Sequence, residues 1–264
     1  MDKITRAVEL TARGRRSVRR DTSNEGVSVQ YNETRRVFLS RDKLRDSRVL
    51  TEESEPQVKD AYRLLRTRVL HRMRQNGWRT LGVTSASPSE GKSLTSINLG
   101  VSIALEVEHT ALLVDADLRR PTIHNYLGIE PKIGLSDCLR GAPIKDALIN
   151  PSLRNFVVLP GRRDRNVGSE YASSVRMTEM VQEIRDRYPD RVAIFDLSPI
   201  LVGDDALAMA RQLDALLIVV EEGGTDSRAL AHGIELLEDV EILGTVFNKA
   251  RSVQNKPYDY YYHY

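Results

Sequence analysis

Residues 86–93 read ASPSEGKS, one residue beyond the apolar run LGVT at 81–84 and leading into a stretch patterned as a helix from 92. Strand, small-residue loop, Gly-Lys-Ser and helix, in that order, form the context of a P-loop. Backbone N–H groups at such a helix start can face phosphate oxygens, helped by the helix dipole. Gly91 permits close backbone approach, Lys92 can pair with phosphate charge, and the Ser93 hydroxyl can ligate Mg²⁺. The loop residues Pro88, Ser89 and Glu90, and Leu94 beyond the serine, complete the expected cradle. Ala86 stands where the GxxxxGK[ST] pattern has its first glycine, so the loop alone is a loose match.

Two further strand ends tighten it. The apolar run 111–114 ends in Asp115-Ala116-Asp117, and the run 192–195 ends in Asp196. A carboxylate at the end of a buried strand is costly unless it meets a cation or a substrate that needs a base. One such aspartate reads equally well as the N-cap of the next helix. Three of them beside Gly-Lys-Ser point to a nucleotide, expected as ATP with Mg²⁺.

Outward from the loop, apolar runs at 80–84, 111–114, 156–159, 192–195, 215–220 and 242–247 are spaced as strands. Helical stretches fall at 92–106, 175–188, 204–211 and 227–237. Short apolar strands alternating with helices predict an α/β fold with a mostly parallel central sheet and helices on both faces. Ligands of such sheets bind outside the carboxyl ends of the strands, where the loop and the aspartates lie. Upstream, Ala61, Leu65, Val69 and Met73 recur every fourth residue and predict an amphipathic helix that ends near Asn76 and Gly77.

The 264 residues, 41% of them hydrophobic, suffice for one sizeable α/β domain with an appendage. Residues 1–55 are polar and charged without sustained periodicity and read as a disordered basic leader, with a short strand near 37–39. Its Lys3, Arg6, Arg13, Arg15, Arg16, Arg19 and Arg20 suit a solvated tail or an anionic contact. The domain then spans 56–256, and 257–264 forms a flexible tail. The net charge of +2 gives no argument for nucleic acid. The single cysteine, Cys138, excludes an internal disulfide and suits the cytosol. No apolar run approaches the roughly 18 residues of a membrane span, so a soluble, cytoplasmic chain is expected.

The loop ASPSEGKS, the segment LLVDADLRRP at 112–121 and the segment AIFDLSP at 193–199 resemble the Walker A, Walker A′ and Walker B motifs of bacterial tyrosine kinases. That family serves capsule and exopolysaccharide synthesis and belongs to the MinD/ParA-like ATPase superfamily. The resemblance covers about residues 55–264, including GLSDCLRG at 134–141 and SSVRM at 173–177. The related MinD and ParA ATPases carry a signature lysine at the second loop position, where this chain has Ser87.

The resemblance implies transfer of the ATP γ-phosphate to tyrosine. Lys92 would stabilise the transferring phosphoryl group, and Asp117 and Asp196 would organise Mg²⁺ with Ser93. Asp115 would accept or orient the tyrosine proton, a role it could exchange with Asp117. The tail PYDYYYHY holds Tyr258, Tyr260, Tyr261, Tyr262 and Tyr264, the implied autophosphorylation sites; docking as an edge strand is the plainer alternative. Asp60, Arg63 and Arg66 resemble an ExxRxxR oligomerisation motif, with Asp60 in place of Glu, which implies a homo-oligomeric ring. A solvated basic face with Arg68 and Arg72 is the alternative. Asn248, followed by Lys249, resembles the adenine-side element of the superfamily or else forms a turn. Members of this type also rely on a membrane-embedded polysaccharide co-polymerase as activator, which would bring the chain to the inner face of the membrane. Two departures stand out. Ser89 replaces a usual glycine, and Leu197-Ser198-Pro199 replaces the x-Pro-Pro that usually follows the strand-end aspartate. A MinD/ParA-like ATPase switch, or a degenerate kinase kept as an assembly module, is the alternative function.

Overall fold

A computed structural model describes residues 34–106, 108–153, 155–163, 169–187 and 191–250 of the chain. Its strands are β1 (Arg35–Arg36), β2 (Thr80–Ser85), β3 (Thr110–Asp115), β4 (Ile149–Asn150), β5 (Phe156–Leu159), β6 (Arg191–Asp196), β7 (Ala215–Glu221) and β8 (Ile242–Asn248). Helices α1 (Arg41–Asp46), α2 (Pro56–Asn76), α3 (Lys92–Ala104), α4 (Ile123–Leu127) and α5 (Leu135–Leu139) precede α6 (Ile144–Ala147), α7 (Val175–Arg187), α8 (Asp205–Ala210) and α9 (Ser227–Glu235). The strand order is β1-β4-β5-β3-β6-β2-β7-β8. Every pairing is parallel except β4 with β5, so the expected mostly parallel α/β sheet is what forms.

The central strands form because they are apolar on both faces. In β3, Ala111 and Leu113 pack into one core while Leu112 and Val114 pack into the other. In β6, Val192 and Ile194 face the first core, and Ala193 and Phe195 the second. Helices α1 to α4 cover the first face and α5 to α9 the second, which buries all six residues of β2, of β3 and of β6. Helix α3 lies close on the sheet because Gly100 has no side chain. A Cβ there would meet Phe156 Cε2 at 2.7 Å.

Helix α2 begins with Pro at its first turn and stops at Gly77, whose φ of 69° makes the left-handed C-cap that glycine allows. Of the residues at four-residue spacing, Val69 and Met73 are buried, Leu65 is half-buried and Ala61 is exposed, while Leu70 is buried beside Val69.

The expected leader needs correction over residues 34–55. They carry β1 and α1 and bury Leu44, Val49 and Leu50 in the first core. The short strand sits at Arg35–Arg36 rather than at 37–39, and Val37 N–H extends its pairing to the Asn150 carbonyl at 2.9 Å. Asn98 of α3 holds the following turn by accepting from Leu50 N–H at 2.8 Å and donating to the Arg48 carbonyl at 3.1 Å. Leu44, Val49 and Leu50, with half-buried Val37 and Leu39, dock this segment, spaced too irregularly to show a period in the sequence. Residues 1–33 and the tail with Tyr258, Tyr260, Tyr261, Tyr262 and Tyr264 lie outside the described residues. Among those described, no helix is long and apolar enough to cross a membrane.

Candidate active site

Strands β2, β3 and β6 are neighbours, and their carboxyl ends set Ser85, Asp115 and Asp196 side by side. Residues 86–91 then turn from β2 into α3. Two of them take left-handed backbone, Ser89 at φ 68° and Gly91 at φ 97°. Gly91 is the N-cap of α3, and the first N–H groups of any helix have no intrahelical acceptor. Glycine suits this position because φ 97° strains any residue with a Cβ, which would also displace Asn248 Nδ2 from 2.1 Å away. Ala86, at the position of the missing first glycine, is not left-handed. It is buried, and its N–H donates to Glu90 Oε2 at 3.1 Å. Glu90 thus folds back across the loop and is 2% exposed. Pro88 and Ser89 are exposed, and Leu94 is half-buried against the first core.

Lys92 and Ser93 are buried beneath this loop among the three carboxylates. Lys92 Nζ lies 3.0 Å from Asp117 Oδ2 and 3.5 Å from Asp196 Oδ2. The Ser93 hydroxyl donates to Asp196 Oδ2 at 2.6 Å, and Ser96 Oγ donates to Asp196 Oδ1 at 3.2 Å. Asp117 Oδ1 accepts from Arg120 N–H at 2.9 Å. Asp115 Oδ2 accepts from Thr122 N–H and Ile123 N–H at 2.9 and 3.0 Å, while its Oδ1 is buried without a partner. Thr122 Oγ1 reaches Ser93 Oγ at 3.2 Å.

The electrostatics follow from burial. Burial and the neighbouring Asp196 push the Asp115 carboxyl well above the usual carboxylate range, against the pull of the Ile123 N–H and Lys92. Burial also raises Asp196, with Lys92 and the Ser93 hydroxyl opposing it. For Lys92 burial favours the neutral amine, but Asp196 and Asp117 outweigh it and hold the ammonium above its ordinary value.

The residues fit a nucleotide's phosphates with a magnesium ion. Lys92 and the helix start supply positive charge, while Ser93, Asp117 and Asp196 supply the hard oxygens Mg²⁺ takes. No group of three or more His, Cys, Asp or Glu arranged to hold a metal occurs among the described residues. A magnesium ion here would draw most of its oxygens from phosphate and water. A cavity of about 670 Å³ between α2 and β8 touches Asn248 but none of Lys92, Asp115, Asp117 or Asp196. Lys92 and the three aspartates therefore lie at the strand ends, outside that groove.

Strand ends and Gly-Lys-Ser thus brought together Lys92, Ser93, Asp115, Asp117 and Asp196. Asn248 also lies at the loop, donating from Nδ2 to the Glu90 carbonyl at 2.8 Å. Ser96 and Thr122 were not read from the sequence. Ser96 follows Lys92 by one helical turn on the same face, which is the signal that could have found it. Ser198, in the place of a usual proline, is buried, and its carbonyl accepts from Thr84 Oγ1 at 2.8 Å.

The expected oligomer motif separates into two parts. Asp60 and Arg63 pair with each other at 3.0 Å, and both side chains are 65% exposed. Arg66 instead turns inward at 18% exposure, with Nε 2.9 Å from Glu106 and Nη1 donating to the Ser102 carbonyl at 2.9 Å. Arg72 likewise donates to the Leu243 carbonyl at 3.2 Å. The expected shared arginine face is therefore partly spent inside the chain.

Strand order and site together place the chain among the P-loop nucleotide-binding α/β proteins. No family model matches it. It is 30% identical over 205 residues to tyrosine-protein kinase YwqD of Bacillus subtilis, covering 76% of this chain and 85% of YwqD. It is 32% identical over 178 residues to the succinoglycan biosynthesis transport protein ExoP of Rhizobium meliloti, covering 65% of this chain but only 22% of ExoP. The solved kinase domain of Escherichia coli tyrosine kinase ETK superposes with a TM-score of 0.67 at 25% identity, covering 85% of this chain and 94% of that one. The chain belongs to the bacterial tyrosine kinase family.

Proposed function

We propose that the chain is a cytoplasmic protein-tyrosine autokinase. It moves the γ-phosphate of ATP, bound with Mg²⁺, onto tyrosine hydroxyls, chiefly Tyr258, Tyr260, Tyr261, Tyr262 and Tyr264 of an adjacent chain. The observation that carries this reading is Asp115. Its carboxyl is buried beside Lys92 with one oxygen free of any partner and with a raised proton affinity. A phenol has a pKa of about 10, so a base with raised affinity suits its proton better than an ordinary carboxylate does.

In the transfer, a bond forms from the phenol oxygen to the γ-phosphorus and the bond to the β–γ bridging oxygen breaks. The phenol proton passes to Asp115, and ADP leaves. Lys92 and the loop N–H groups meet the charge on the phosphoryl oxygens. Ser93, Asp117 and Asp196 hold the magnesium, directly or through water. Mg²⁺, when bound, neutralises phosphate charge. Asp117, paired with Lys92, is the alternative to Asp115 as base. Asn248 Oδ1 remains able to accept from a purine amine.

Assembly into a ring through α2, with Arg63 on its exposed face, belongs to the same reading. So does activation by a membrane-embedded polysaccharide co-polymerase that recruits the chain to the inner face of the membrane and couples it to exopolysaccharide or capsule polymerisation. The succinoglycan role in the name of ExoP supports that link. The test is incubation of the purified chain and its activator with labelled ATP and Mg²⁺. Label is expected on the tail and absent in Lys92→Met. Hydrolysis of ATP without any phosphotyrosine would refute the kinase and leave an ATPase switch.

A further inference from the structure

The end of β8 reaches across to the phosphate loop with two consecutive side chains. Asn248 Nδ2 donates to the Glu90 carbonyl at 2.8 Å, and Lys249 Nζ donates to the Ser89 carbonyl at 2.7 Å. Neighbouring residues on one segment thus hold neighbouring carbonyls on the other. Lys249 is itself anchored, since its Nζ lies 2.8 Å from Glu221 Oε2 at the end of β7. Glu222 N–H also donates to the Asn248 carbonyl at 3.0 Å.

Each carbonyl belongs to a peptide plane with the N–H of the next residue, and the chain has no cis peptide bond among the described residues. In a trans peptide the C=O and N–H point in opposite directions. Drawing the Ser89 and Glu90 carbonyls toward β8 therefore turns the N–H groups of Glu90 and Gly91 away from it. Ser89 and Gly91 are left-handed on either side of Glu90. Such alternation is how successive N–H groups come to face one anion-binding concavity. Lys249 has a further task. Ser89 holds φ 68° with a Cβ, and Lys249 holds φ 55°, so two residues outside their preferred region meet in one hydrogen bond.

We propose that Asn248 and Lys249 form a clamp that aims the phosphate-binding amides of the loop, and that Lys249, with Glu221 behind it, is the residue that lets serine occupy position 89. Lys249 is a positioning residue: it acts on the nucleotide through the loop. The proposal rests on the loop being the phosphate site.

The experiment is equilibrium titration of the full chain with Mg-ATP and with Mg-GTP, for wild type, Lys249→Met, Ser89→Gly and the double variant. Lys249→Met is expected to weaken both nucleotides roughly tenfold, the scale of one hydrogen bond to a charged group, with the ATP-to-GTP ratio unchanged. In the Ser89→Gly background glycine takes the left-handed turn without help, and the same change should cost about twofold or less. A structural role alone would not be rescued at position 89. Wild-type affinity in Lys249→Met overturns the clamp. So does a loss confined to ATP, which would make Lys249 a base reader, and so does an undiminished loss in Ser89→Gly. If wild type itself binds no Mg-ATP, the phosphate reading fails and the clamp fails with it.

Discussion

Arg66 offers the sharpest separation between a residue that builds the chain and one that joins chains. Helix α3 ends at Ala104, so the Ser102 carbonyl is one of the last four, which have no intrahelical donor. Arg66 Nη1 supplies that donor at 2.9 Å, and its charge suits the negative end of the helix. The same guanidinium lies 2.9 Å from Glu106, with the two side chains 18% and 32% exposed. Arg66→Ala removes a charge-assisted hydrogen bond, about 1–2 kcal/mol, and a partly screened ion pair, about 0.5 kcal/mol. The sum is about 2 kcal/mol, or roughly 4–8 °C in the melting midpoint for a domain of this size. Arg63, paired only with Asp60 in an exposed i,i+3 contact, should shift stability by about 0.3 kcal/mol when replaced by Ala. The assay is thermal denaturation by circular dichroism at two protein concentrations, with light scattering for mass in solution. An intrachain role gives an Arg66→Ala shift independent of concentration. If Arg66→Ala melts as wild type does while its mass in solution falls, Arg66 works between chains and the reasoning is wrong.

Two other expectations follow from burial. The Asp115 carboxyl binds its proton more tightly folded than unfolded, where 3.8 is ordinary. Its contribution to stability is therefore complete below that value and is lost as pH rises through the folded pKa. The ligand-free wild type should lose stability relative to Asp115→Asn as pH rises from acidic toward neutral in urea titrations; a constant difference would refute the raised affinity. Cys138 is fully buried, and burial with the nearby Asp137 pushes its thiol up to about 11. Iodoacetamide at neutral pH should modify it only after unfolding, and mass spectrometry showing rapid labelling of the native chain would contradict that.

The parts of the fold legible in the sequence are those whose cause is local. The core strands β2, β3, β5, β6 and β7 were legible within a residue or so because each is a run buried within the sheet. The edge strand β8 was legible from its apolar residues, although only Leu243 of it is buried. Strands β1 and β4, two residues each and reading RR and IN, carry no such run. Helices α1, α4, α5 and α6 are too short to show a helical period. The carboxylates were legible because an aspartate that ends a buried run has few inexpensive explanations. The partners of Arg66 were hidden for the opposite reason. Spacing of three placed it beside Arg63, but its partners on and just beyond α3 are visible only in three dimensions.

Ser89 lies between these cases. A serine where the family resemblance leads one to expect glycine raises the question of positive φ, and the structure answers it with φ 68°. Nothing near position 89 explains how the strain is borne. The hydrogen bond that bears on it comes from Lys249, 160 residues further along the chain, at the end of the sheet's edge strand. The departure at 89 and the lysine at 249 are then one feature divided between two segments. On this view a serine at 89 loosens the loop only where the lysine is lost. The affinity of the double variant measures that coupling directly, because residues in contact add non-independently by the energy they share.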